Sequence, residues 1–286
     1  MGIRKVLTFT WRIAADALGH FNSDDGWALA SHVALSGIMA LFPFLIFATA
    51  LASFLGASAF TDTAVHVVFD TWPEVIATPI AQEVRNVLNV QRSGLLTISV
   101  IAAAYFASNG VEALRVALNR AYRVIDTRSI IYCRLQSLGY VIIATIGIMA
   151  ISFLLVLAPL AMSIATRWLP ELTLISGTIR FWRYCIASAV LIVALLVVHL
   201  WLPAGRRGLF DILPGILLTL LAWTIGATIF ASYLETFASY VTTYAGLASI
   251  MAAIVFLYII AAIFIIGAEI NAAIIRYREG KRAEHF

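Results

Sequence analysis

The chain has 286 residues, of which 62% are hydrophobic and only 12% charged, and its mean hydropathy is +0.97. Soluble domains average about 45–50% apolar and about 25% charged, so this composition excludes an ordinary water-soluble protein and fits a polytopic membrane protein. The net charge of +4 comes from short basic loops and is a topology signal, with no polar surface of the kind a polyanion such as nucleic acid needs.

Residues 1–25 read as a cytoplasmic amphipathic segment. Ile3, Val6, Leu7, Ile13, Ala14, Ala17 and Leu18 recur at helical spacing, while Arg4, Lys5, Arg12 and Asp16 fall elsewhere. Such a helix is expected to lie on the membrane surface. No apolar core of secretory-signal type precedes a small-residue cleavage site.

Six apolar runs follow over residues 27–275, each a candidate for the roughly 20-residue helix that crosses about 30 Å of hydrocarbon. They cover residues 27–55, 94–109, 137–162, 181–202, 209–234 and 247–275. The second is short. It is expected either to begin earlier, within "PIAQEVRNVLNVQRSG", or to tilt little and pack internally. Between the first two runs, residues 56–93 form the longest connection, with Asp62, Asp70, Glu74 and Glu83 and the breakers Pro73 and Pro79. It reads as short helices over the outer mouth. A basic tail, 276–286, closes the chain. The expected fold is all-α: a single transmembrane domain built as a six-transmembrane-helix bundle with additional amphipathic surface helices.

Of the 19 Lys and Arg residues, only Arg85, Arg92, Arg167, Arg180 and Arg183 fall on one side of this arrangement. The rest fall on the side that holds both termini. Cytoplasmic loops are enriched in Lys and Arg, so both termini are expected to be cytoplasmic.

Polar groups inside apolar runs are the candidates for chemistry. In the first run, Pro43 lacks the N–H that would bond the Met39 carbonyl, and Ser36 and Gly37 permit close helix approach. Pro43 and Gly37 read as a packing kink or, functionally, as a hinge. After the second run, Arg115, Asn119 and Arg123 are spaced four apart with Arg120 beside them. Ordinary cationic anchoring explains them, and so does contact between Arg115, Arg120 and Arg123 and anionic lipid headgroups. Asp211 lies just inside the fifth run and is expected to pair with Arg206 or Arg207. Tyr233, Tyr240 and Tyr244 read as interfacial aromatics beside Glu235.

The last run ends "IIGAEINAAIIRYREGKR". Glu269 is seven residues, about 10 Å of helix, before Arg276. At that depth a carboxylate costs a few kcal/mol unless it is paired, protonated or hydrated. Glu269, Asn271, His32, Asn109 and Asp211 all fall near cytoplasmic ends of spans, with Gln136 and His199. They either line one polar cavity open to the cytoplasm or act as separate caps and snorkelling groups.

The chain has no HExxH, CxxC, P-loop or glycine-rich dinucleotide motif. Cys133 and Cys185 read as buried or idle thiols, and the five histidines have no metal-ligand spacing. No catalytic residue, metal or cofactor is expected. The expected partners are membrane lipids, including anionic headgroups, and no nucleic acid; a homo-oligomer is left open.

Four stretches carry a family resemblance. They are "SHVALSGIMALFPFLIF", "LNRAYRVIDTRS", "WLPAGRR" followed by "LPGILLTLLAW", and "YLETFASYVTTYAGLASIMAAIVFLYIIAAIFIIGAEINA". Together they resemble the YihY/BrkB family of bacterial inner-membrane proteins. The first departs from the family pattern, since Leu41 stands two before Pro43 and no serine is adjacent. The last is the most specific, with Tyr240, Tyr244, Gly246, Gly267, Glu269 and Asn271. The resemblance implies six spans and a multi-pass location in the bacterial inner (plasma) membrane. It also implies export or envelope-lipid transport, and it brings a ribonuclease BN label for which these residues offer no catalytic site. The expected function is a transporter or exporter of a lipid-like or amphipathic substrate, with a non-transporting scaffold for envelope partners as the alternative and an RNA-cleaving enzyme behind both.

Overall fold

The computed structural model describes residues 3–54, 78, 82, 93–152 and 176–283. Among these residues all regular structure is helical: α1 (Ile3–Ser23), α2 (Gly26–Phe54), α3 (Ser93–Ala121), α4 (Ile130–Ser152), α5 (Ser176–Trp201) and α6 (Leu209–Ala283). Most of the 56–93 connection, the continuation of the third run past Ser152, and the side chains of Glu235, Tyr240 and Tyr244 lie outside the described residues.

The amphipathic pattern of the first residues does produce a helix; part of its apolar face meets protein, while Leu7, Trp11 and Leu18 stay exposed. Ile13 and Ala17 of α1 pack against Ala273 and Ile274 near the end of α6, and Phe21 enters the main core. The turn into α2 is tight. Asp25 adopts a left-handed backbone, φ 55°, which a short polar side chain tolerates better than most. Its carbonyl accepts the Leu29 N–H at 3.0 Å to open α2.

Helix α3 lengthens the short second run at its far end, since it continues to Ala121. The earlier start expected within residues 79–92 lies, Gln82 apart, outside the described residues. The extension is apolar where it faces the bundle, with Ala113, Ala117, Leu118 and Ala121 buried. Its charges are offset locally: Arg115 pairs with Glu112 one turn away. Residues expected on a surface helix are therefore the end of a core helix.

Helix α6 is helical along 75 residues, a length of about 110 Å if straight. It is not straight. The Gly215 N–H lies 2.7 Å from Asn271 Oδ1, and the Trp223 indole N–H donates to the Ile260 carbonyl at 2.9 Å. Contacts whose partners close in sequence as they move along the helix require two antiparallel arms. The chain direction therefore reverses between Phe230 and Phe256, whose rings are 5.2 Å apart. The arms correspond to the fifth and last apolar runs.

Among the described residues, five stretches are long and apolar enough to cross a membrane: Thr97–Ala121, Ile130–Gly147, Gly177–Trp201, Leu209–Leu234 and Ile250–Glu279. The apolar stretch Gly26–Leu41 of α2 is shorter. Large apolar side chains such as Ile98, Ile142, Ile146, Leu221 and Ile229 point outward, as expected where lipid is the solvent.

The core lies where α1, α2, α3, α5 and both arms of α6 converge. It combines small residues (Ala30, Ala117, Ala121, Ala268, Ala272) with Phe21, Leu118, Ile212, Ile216 and Ile265. Small residues let helices approach closely, which is the main attractive resource in a medium as apolar as the side chains. Helices α2 and α3 share the most extensive packing.

Candidate functional site

A chain of buried polar groups crosses this core. Asn271, on the second arm of α6, accepts the Gly215 N–H through Oδ1 and donates through Nδ2 to Tyr122 Oη at 3.3 Å. Tyr122 Oη is 2.8 Å from His199 Nδ1 near the end of α5. If Asn271 donates to the phenol oxygen, the phenol proton is directed to Nδ1 and His199 carries its own proton on Nε2. That Nε2 is buried without a hydrogen-bond partner. Asn271 and His199 are fully buried. Burial pushes the Tyr122 phenol up to about 12, so it remains a donor at ordinary pH.

Glu269 lies two residues from Asn271 on the same arm and therefore faces another direction. It is 1% exposed. The Arg123 guanidinium approaches its Oε2 at 3.6 Å, and that oxygen has no hydrogen bond. Arg123 also reaches Asp16 of α1 at 3.5 Å, and Asp16 pairs in turn with Arg276. An alternating chain, Arg276–Asp16–Arg123–Glu269, thus ties α1, the end of α3 and α6 together.

Local backbone geometry places these side chains. Helix α3 ends in a Schellman arrangement: the Val124 N–H bonds the Asn119 carbonyl and the Arg123 N–H bonds the Arg120 carbonyl. The left-handed position of that motif is usually glycine, yet here it is Arg123, φ 58°. A side chain in that conformation costs of order 1 kcal/mol or more. The strained residue is the one that reaches the buried glutamate.

A second polar cluster braces the loop between α5 and α6. Asp126 binds Arg128 and Arg115, and accepts from Asn119 Nδ2 at 3.0 Å. Arg128, with help from Arg115 and Asn119, holds the Asp126 carboxyl well below the usual carboxylate range. Arg128 also donates to the Leu202 carbonyl at 2.9 Å, Gln136 to the Trp201 carbonyl at 3.0 Å, and the Ala204 N–H to Asn119 Oδ1 at 2.7 Å.

The structure separates several residues that the sequence grouped. His32 is exposed on α2. Asn109 accepts from Arg134 of α4 at 2.6 Å. Asp211 pairs with Arg278 at 2.6 Å, which replaces the expected pairing with Arg206 or Arg207. Of the seven candidates, Glu269, Asn271 and His199 are deeply buried; Asn271 and His199 share Tyr122, and Glu269 faces Arg123. Arg115 and Arg123 turn to protein carboxylates, while Arg120 is exposed. Pro43 and Gly37 both lie within α2, with Leu257 of α6 the neighbour closest to Gly37.

A family model described as virulence factor BrkB matches residues 17–285. The chain belongs to the virulence factor BrkB family. This BrkB-family chain is 28% identical over 257 residues to the ribonuclease-like protein YfkH of Bacillus subtilis (strain 168), covering 90% of this chain and 93% of the relative. It is 25% identical over 297 residues to a UPF0761 membrane protein of Alteromonas mediterranea, covering 100% of this chain and 97% of the relative. No solved structure matches. It is thus a membrane protein of the BrkB family.

In this BrkB-family chain, the buried partner Tyr122 is missing from the sequence-derived cavity set, which held His199 without the phenol that joins it to Asn271. Tyr122 and His199 are 77 residues apart, and Asn271 is 149 residues from Tyr122. No periodicity links such distances. The available signal is modest: a histidine in the last turn of one apolar run, and an asparagine inside another. Among the described residues no group of three or more His, Cys, Asp or Glu side chains is placed to hold a metal ion.

Proposed function

We propose that this BrkB-family protein is a transporter or exporter of a lipid-like or amphipathic substrate, and not an enzyme. In this reading it sits in the bacterial inner membrane with six spans, α2 supplying the first, and both termini are cytoplasmic. The supporting observation is the layer of polar groups, several unpaired, within an otherwise apolar bundle. Glu269 Oε2, His199 Nε2 and Thr219 Oγ1 are buried there without hydrogen-bond partners. Each such atom costs about 1–3 kcal/mol, and apolar residues of similar volume would pack the same space at lower cost. Intramembrane ionisable groups retained at that cost are functional candidates. Asn271 and Glu269 on one arm, and Tyr122 and Arg123 at the end of α3, would exchange these partners when the arms of α6 move to pass a substrate. Pro43 and Gly37 of α2 would supply the flexibility.

Reconstitution into liposomes tests the reading. Movement of a fluorescent phospholipid across the bilayer should be faster with the wild-type protein than in empty liposomes. Tyr122→Phe and Glu269→Gln should each slow it several-fold while the protein remains folded. Equal rates for wild type, both variants and empty liposomes would remove this reading for that substrate.

The scaffold alternative is favoured by one observation, the enclosure of Glu269 at 1% exposure. It expects envelope partners to be retained by Glu269→Gln protein and no lipid movement by any form. The ribonuclease reading rests on names alone, that of the Bacillus relative and the label that the family resemblance brings.

A further inference from the structure

An open recess of about 760 Å³ lies between the start of α4, the end of α5 and the loop before α6. Arg128, Arg206 and Arg207 line it, with Tyr132 and Gln136, and no Asp or Glu does. Trp201, Pro203, Leu200 and Ile125 form its apolar wall. We propose that this recess binds the phosphate group of an anionic membrane lipid, with Arg206 and Arg207 as the phosphate ligands and the apolar wall against the glycerol and first acyl carbons.

Four observations lead there. The first is charge balance. Arg128 is neutralised by Asp126, but Arg206 is exposed and forms no ion pair with any described residue. Arg207 has no carboxylate partner among the described residues either. Its guanidinium donates to the Ala204 carbonyl at 2.7 Å and lies 4.0 Å over the Tyr122 ring. Its Nη1 is buried with no partner, and burial pulls the guanidinium below its ordinary range. A half-buried cation that touches a carbonyl and a ring but no carboxylate favours an external anion.

The second is preorganisation. The recess-forming loop is held to α3 and α4 through the carbonyls of Trp201 and Leu202 and the Ala204 N–H. Gly205 takes φ +85°, a left-handed turn that places Arg206 and Arg207 in succession beside the opening. Guanidinium groups held in this way suit the several oxygens of a phosphate.

The third is depth. Three apolar stretches begin or end at the recess: Ile130–Gly147, Gly177–Trp201 and Leu209–Leu234. The recess is therefore level with the headgroups. The fourth is the shape of its chemistry. A free inorganic anion has no use for the apolar wall, whereas a lipid phosphate meets cations and hydrocarbon at one site.

This site stands apart from the transport reading, since a lipid can be bound without being moved. Native mass spectrometry of the full chain in neutral detergent tests it with three probes: phosphatidic acid, diacylglycerol with the same acyl chains, and inorganic phosphate. Phosphatidic acid should bind about ten-fold or more tighter than diacylglycerol. Arg206→Gln should weaken it several-fold, and Arg206→Gln with Arg207→Gln further. Arg120→Gln, which removes an exposed cation elsewhere, should leave it unchanged. Arg206 touches no described partner, so its variant keeps the test decisive even if the double variant folds poorly. Diacylglycerol binding as tightly as phosphatidic acid, or Arg120→Gln weakening it as much as Arg206→Gln, overturns the proposal. So does inorganic phosphate binding as tightly as phosphatidic acid, because the site would then be one for soluble anions.

Discussion

Gly215 donates its backbone N–H to Asn271 Oδ1 at 2.7 Å, joining the two arms of α6 across 56 residues of sequence. The contact is possible because the arms meet at glycines. A Cβ on Gly215 would collide with the Gly267 carbonyl and come within 2.6 Å of Asn271 Cγ. A Cβ on Gly267 would collide with Thr219 Oγ1. Both obstacles are backbone or short side chains, which cannot swing aside.

Gly215→Ala is therefore expected to destabilise the bundle by about 1–3 kcal/mol, as overpacking of a filled interface does. Gly267→Ala should do the same. Thermal unfolding in detergent measures the effect, and Gly226→Ala is the comparison. An added Cβ there meets Ile263 Cδ1 at 3.4 Å, an ordinary contact, so its midpoint should shift much less.

Tyr122→Phe removes the group between Asn271 and His199 and leaves Nδ1 of the buried imidazole without its donor. The expected loss is about 1–3 kcal/mol, because the orphaned atoms stay buried. If Tyr122→Phe unfolds at the wild-type midpoint, the phenol contributes nothing to the layer.

Arg123 gives a two-part expectation. Arg123→Gly relaxes the left-handed backbone by roughly 1 kcal/mol relative to Arg123→Ala, so the glycine variant should be the more stable of the two. Both lose the partner of buried Glu269, at a cost of the order of 3 kcal/mol. Adding Glu269→Gln to Arg123→Gly should recover much of that loss. A double-mutant cycle by thermal unfolding measures the coupling, and strict additivity would show that the 3.6 Å approach carries none.

The Asp126 carboxyl is held below its usual range, so the unfolded chain binds the extra proton first. Its contribution is fully present above about pH 5 and fades as pH falls through the ordinary carboxylate range towards the lower folded value. Unfolding midpoints between about pH 3 and 6 should fall more steeply in wild type than in Asp126→Asn. Parallel curves would contradict this assignment.

Asp211 supplies a contrasting case. Its pair with Arg278 is short, at 2.6 Å, but the two side chains are 33% and 51% exposed. Asp211→Asn should change stability by less than about 1 kcal/mol. A loss comparable to that of Arg123→Ala would mean that this end of α6 is far drier than its exposure indicates.

Much of the architecture is written along the chain. Composition alone places it in a membrane, and the runs from 181–202, 209–234 and 247–275 match the stretches Gly177–Trp201, Leu209–Leu234 and Ile250–Glu279 closely. Apolar run length is a local property, and hydrocarbon thickness sets it, so reading along the chain suffices. The failure at 94–109 has a specific cause. Glu112 and Arg115 look like the end of a span, but they cancel each other one helical turn apart, and the helix continues.

By itself, the sequence determined the membrane class, the family, the helical content and the two unusual residues Glu269 and Asn271. Only the tertiary structure decided whom they meet. Asn271 faces Gly215 and Tyr122, Glu269 faces Arg123, and His32 faces neither. Helical periodicity fixes which side of a helix a residue occupies, but not which helix lies against that side. That choice depends on small-residue contacts such as Gly215 with Gly267 and on the reversal within α6. Partners that they bring together from 77 to 149 residues apart leave no pattern in one dimension.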